Sequence, residues 1–206
     1  MLEQRNNPEK VNVFAPGVAF FVLTFQDILR ITESKITHPE LLMIAQYNRQ
    51  EDLGHEQWFL QDLHQLGINC DAFLLFGQEY FQTRDTSFEI ISEIYQASDD
   101  RIRLVIPLAL EAAGHVFFSR VHQLFYGTKY HTKLKYFSQE HFQIELNHTF
   151  RQEDINNMIL SIELTDELYQ EAMQVVDRVF TALSNMLCSL NHKITKDEER
   201  TVEKVY

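Results

Sequence analysis

The sequence predicts an all-α fold: a multi-helix bundle with short connectors. Two observations carry this. The 206 residues include only four Pro and six Gly against 45% hydrophobic residues, so turn-forming chemistry is scarce and apolar side chains are ample. Strand-like alternation is rare, whereas apolar residues recur at helical spacing, as in Phe20, Leu23, Ile28 and Ile31. The length suits one helical domain over 1–206, with a core of about 16–192 and loose or frayed termini.

The elements follow in order. Pro16-Gly17 opens a first helix reaching about Ile36. Thr37-His38-Pro39-Glu40 reads as a helix start, with a polar cap, a Pro and an acid in the first turn. That second helix is expected to run to Leu66 and stop at Gly67. A short helix is expected over Phe73–Phe81, and Thr86 or Ser87 then caps Phe88–Gln96. Ser98-Asp99-Asp100 opens a long apolar helix ending near Gly127, with Pro107 as its kink. Lys133–Arg151 is the next long helix, followed by a short one over Asp154–Ile162. Thr165-Asp166-Glu167 caps the last long helix, which runs to about Asn191 and leaves a charged end of frayed helix or tail.

Charge and cysteine usage bound the function. A net charge of −12 disfavours nucleic acid and anionic membrane surfaces as partners. Two cysteines, Cys70 and Cys188, make no disulfide framework, so a cytoplasmic setting is expected. The apolar run Val18–Phe25 is too short to span a bilayer and lacks the flanks of a signal peptide.

The chemistry lies on three helices. His141, Glu145 and His148 fall within an arc of about 60° on one helix face, three metal-ligand types on one rigid stripe. Imidazole with carboxylate suits iron, manganese or zinc. In a chain with nine His and thirty acids this pattern arises by chance about 0.06 times, which leaves a solvated face with incidental histidines as the plain alternative. Glu111 is flanked by apolar residues on its helix, and a buried carboxylate requires a partner, a proton or a metal. His115, one turn later, is a ligand or a supporting partner. His55 shares a face with both Glu51 and Asp52, and spacing does not choose between the two acids. His55, Glu51 or Asp52, Glu111, His141, Glu145 and His148 together offer three His and three carboxylates, a complement for two metals.

With these motifs the sequence resembles the haem-oxygenase-like diiron oxidases and oxygenases, which share the helical fold of haem oxygenase and of the TenA proteins. His141-x3-Glu145-x2-His148 is similar to that family's late metal helix, and Glu111 to its lone core Glu. The stretch from His55 to Gly67 resembles its early His segment, although the family often places the early acid further upstream of that His. The resemblance covers roughly residues 16–190 in helix order. It implies two iron ions per chain, or a manganese–iron pair, and O2 activation upon a small organic substrate (an amino acid, amine or fatty acid) in an apolar pocket. A homodimer is compatible with it. Tyr47, Tyr126 and Tyr130 could lie near the metals.

Three other readings compete. A ferritin-like di-iron bundle would use Asp52-x2-His55, Glu145-x2-His148, Glu111 and Glu33, leaving His141 surplus. A TenA-type hydrolase needs a cysteine nucleophile, yet Cys188 lies in an apolar stretch that suits a buried hydrophobe. A metal-free interaction protein would keep the fold and act through its helix surfaces.

Overall fold

The computed structural model describes residues 14–125, 130, 133–148 and 153–203, without the side chains of Leu124, Asn147, His148 and 196–203. Among the described residues there is no strand. After a helical turn over 14–17 come α1 (Ala19–Lys35), α2 (Pro39–Glu51), α3 (His55–Gln65) and α4 (Ala72–Phe76). A 3-10 turn (Gln78–Tyr80) leads into α5 (Phe81–Gln96) and α6 (Asp100–Phe125). The chain closes with α7 (Gln139–His148), α8 (Glu153–Leu160) and α9 (Asp166–Glu203).

The all-α expectation holds, and several boundaries differ for local reasons. The helix expected from Thr37 to Leu66 is two helices. Gly54 adopts φ +95°, a left-handed conformation that cannot continue a right-handed helix, so α2 ends at Glu51 and α3 begins at His55. The stop at Gly67 is as expected: its φ is +76°, and the amides of Ile68 and Gly67 close back onto the Leu63 and His64 carbonyls at 2.9 and 3.0 Å.

The helix expected from Lys133 starts only at Gln139. Asp62 of α3 takes the Lys135 and Phe137 amides at 2.7 and 3.0 Å, and the Ser138 hydroxyl accepts the His141 amide at 3.0 Å. Those side chains offer the backbone an alternative to helical bonds. Residues 149–152, where that helix was to end, lie outside the described residues, as do 126–129 beyond α6.

Thr86 and Ser87 are not caps. α5 starts earlier, at Phe81, and buries both; the Thr86 hydroxyl donates to the Ala182 carbonyl of α9 at 3.1 Å. α4 is shorter than expected, capped by the Asp71 carboxylate on the Leu74 amide at 2.9 Å. The Thr165 hydroxyl accepts the Leu168 amide at 3.3 Å as a cap should, and α9 continues well past Asn191.

α6 is the centre of the bundle and packs against α1, α2, α5, α7 and α9. Its Ile102, Ile106, Ala109, Leu110 and Val121 join the main core with residues of α1, α5 and α9. Burial of each large side chain there, such as Phe59 or Phe137, stabilises the fold by about 1.5–3 kcal/mol. A smaller core under α2 and α8 contains Leu41, Ile44, Leu104 and Ile155. Where α2 meets the start of α6, Asp100 Oδ2 accepts the amides of Thr37 and His38 at 2.7 and 2.9 Å, satisfying orphan donors of the helix start.

The apolar stretch containing Val18–Phe25 belongs to a longer helical run. Phe14–Lys35 and Asp100–Gln123 are both long and apolar enough to cross a membrane by length and composition, with 50% and 39% of their most apolar windows buried inside the bundle.

Candidate metal centre

The break at Gly54 places Asp52 and His55 on either side of a helix joint, and both are buried. Their side chains meet there, His55 Nδ1 lying 3.1 Å from Asp52 Oδ1. α7 brings Glu145 to the same imidazole, with Oε1 at 3.7 Å from Nδ1. One turn earlier on α7, His141 Nε2 is 3.0 Å from Glu145 Oε1. Donor atoms of His55, His141 and Glu145 all lie within 4.8 Å of one another. α6 completes the group with Glu111, whose carboxyl is hydrogen-bonded to Asp52.

The orientation of His141 is fixed by its other nitrogen. Nδ1 donates to the Tyr136 carbonyl at 2.6 Å, which leaves the Nε2 lone pair aimed at a carboxylate oxygen. Two acceptors at that separation require a proton or a cation between them. Two donor atoms each about 2.1 Å from one ion, at right angles, are also about 3 Å apart. An imidazole held through N–H to a backbone carbonyl is the usual support of a metal-binding histidine. Asp62 supports this arrangement from behind, since it pins the Lys135 and Phe137 amides on both sides of Tyr136.

Electrostatics point the same way. Burial, reinforced by Glu145, pushes the Asp52 carboxyl up to about 7. Burial and the adjacent Asp52 charge push Glu111 up to about 9, so this carboxyl holds the proton that it donates to Asp52. Burial pulls the His55 imidazole down and favours the neutral form that can act as a ligand. These donors therefore fit a cation: it would replace the proton shared by two crowded carboxyls and bridge the facing acceptors of α7.

The structure places most of the residues that spacing singled out. Asp52 touches His55, and Glu51, half-buried, acts on Asp52, His55 and Glu111 as a nearby charge. The side chain of His148 lies outside the described residues. His115 is exposed and packs its ring against Phe142 at 5.8 Å, away from the cluster. Glu33 is tied to Arg49 at 2.7 Å. Cys188 is exposed rather than buried, because the apolar stretch around it is one face of α9 and this residue falls on the other. Of the tyrosines that could lie nearby, Tyr47 packs on the smaller core, Tyr130 packs on the main core, and Tyr126 lies outside the described residues.

Several neighbours carry little or no sequence signal. Tyr136 is buried, and its ring centroid lies 5.0 Å from that of His141. Trp58 touches both imidazoles, at 4.7 Å from His55 and 5.3 Å from His141, and carries the Lys135 ammonium over its own ring at 4.2 Å. Trp58 stands three residues after His55, a spacing that places the two on one face of α3 and that alone could have suggested the contact. An apolar cavity opens beside the cluster between α1, α6 and α9; Asp52, His55, Glu56, Glu111, Tyr136 and Glu145 form its polar end. No family model and no curated protein matches the chain.

Proposed function

We propose that this chain is a haem-oxygenase-like, non-haem diiron oxidase or oxygenase that activates O2 beside a small organic molecule held in the apolar cavity. The observation that carries this reading is His141: Nδ1 is committed to the Tyr136 carbonyl, and Nε2 faces Glu145 at 3.0 Å beside His55. His141, Glu145 and His55 would hold one ion, and Asp52 and Glu111 supply carboxylates for a second. Two redox-active ions, iron or an iron–manganese pair, would supply the electrons that reduce O2.

The chain's own residues do the rest. Glu111 stores a proton against Asp52 and releases it when positive charge arrives. The Tyr136 carbonyl accepts from His141 Nδ1 and so keeps Nε2 turned toward Glu145. Phe21, Phe25, Leu110, Phe117 and Phe118 wall the cavity and keep water from the reacting end. The ferritin-like alternative is disfavoured by the ion pair that occupies Glu33 and by the position of His141 against Glu145.

Oxygen uptake tests the proposal. Protein loaded anaerobically with Fe(II) is expected to consume O2 faster than the same concentration of free Fe(II), and His141→Ala is expected to lose the difference. Uptake equal to that of free Fe(II) in both proteins would overturn the proposal and leave the interaction-protein reading in its place.

A further inference from the structure

We propose that the cavity beside the candidate metal centre binds a primary amine on a compact apolar body of about six carbons, with Glu56 as counter-ion to its ammonium group. This rests on the function proposed above and narrows its substrate class.

Size comes first. The cavity measures about 130 Å³ and is walled by side chains such as Phe21, Phe25, Leu110, Leu183 and Met186. An apolar cavity of about 150 Å³ accommodates one benzene ring, so a single ring or a short branched chain fills this one and a long acyl chain does not.

Charge selects the head group. Asp52, Glu56, Glu111 and Glu145 line the polar end, and among the described lining residues there is no Lys or Arg. Asp52 and Glu111 bond to each other, and Glu145 faces His141. Glu56 differs: its Oε2 is buried and has no hydrogen-bond partner among the described residues. A buried carboxylate oxygen left in this state is costly, and an ammonium group offers three N–H donors to relieve it. Gln26, which also lines the cavity, donates its amide to the Arg49 carbonyl at 3.5 Å.

Glu56 acts in this proposal as a binding residue of the substrate pocket and not as a metal ligand.

The test is calorimetric titration of the Zn(II)-loaded protein, zinc being redox-inert, with benzylamine, benzyl alcohol and benzoate at neutral pH. Benzylamine is expected to bind at least about tenfold more tightly than the alcohol, and benzoate not at all. Glu56→Gln, nearly isosteric, is expected to remove that preference and keep the zinc stoichiometry; a matching thermal melt confirms its fold. Leu183→Trp, which fills the cavity, is expected to abolish binding of amine and alcohol alike. Benzoate binding as tightly as benzylamine, an unchanged preference in Glu56→Gln, or loss of zinc from that variant would each overturn the proposal. If the wild-type protein takes up no zinc, the metal reading fails by itself. The same titration on the metal-free protein then decides the amine: a Glu56-dependent preference retains the proposal, and none overturns it.

Discussion

At the scale of single residues, the centre depends on which atoms are already committed elsewhere. His141 and Glu145 were legible in the sequence because helical spacing places them on one face. The contact of Asp52 with His55 was not, since both Glu51 and Asp52 lie within one turn of His55 and the break at Gly54 turns Asp52 onto the imidazole. Asp62 and Glu56 were illegible for a different reason. Their roles come from contacts with turns and walls far away in the chain, which no local pattern encodes. Asp62→Ala would strand two backbone amides in the interior, and chemical denaturation is expected to show a loss of about 3 kcal/mol. It should also weaken metal binding, because the turn that presents the Tyr136 carbonyl to His141 loses its anchor. Asp62→Asn, which keeps one acceptor oxygen, is expected to fall in between. Unchanged stability in Asp62→Ala would show that the turn is held by other means.

At the scale of elements, the joint between α2 and α3 matters most. Read as a pattern, residues 37–66 are one amphipathic helix with a tolerated glycine, since a single Gly is only a weak breaker. What the pattern does not contain is the reward for breaking there: the chain turns so that Asp52 and His55 face α7 together. Gly54 has φ +95° and open space around its missing side chain, so Gly54→Ala meets no clash and its cost is conformational alone. A loss of about 1 kcal/mol is expected by thermal or chemical unfolding, accompanied by weaker metal binding if the joint straightens. The opposite case is Gly17, where an added Cβ would run into the Leu190 side chain of α9. Gly17→Ala should cost stability through packing and leave metal binding alone, a contrast that separates the two glycines in one experiment.

At the scale of the whole molecule, the helical class was legible from composition and periodicity, whereas the late start of α7 and the early start of α5 were set by tertiary hydrogen bonds and burial. The same buried acids predict how stability responds to pH. In the folded chain Asp52 and Glu111 keep their protons to about 7 and about 9, while in the unfolded chain both ionise near their ordinary values of 3.8 and 4.5. The folded state therefore binds more protons across that window, and stability falls as pH rises through it. Above pH 7 His55, whose ordinary value is 6.5 and which burial lowers further, is neutral in both states and adds nothing. The melting temperature of the metal-free protein is expected to drop between pH 7 and pH 9, and bound divalent cations should flatten that drop by taking the place of the proton. A flat profile without metal would mean that the two carboxyls do not share a proton.

The central claim is that α2, α3, α6 and α7 together build a two-metal centre, and native mass spectrometry after anaerobic Fe(II) loading tests it directly. The expected result is two irons per chain in the wild type, a lower count in His141→Ala, and no change in His115→Ala, whose ring faces Phe142. A count near zero in the wild type, or equal counts in His141→Ala and the wild type, would contradict it.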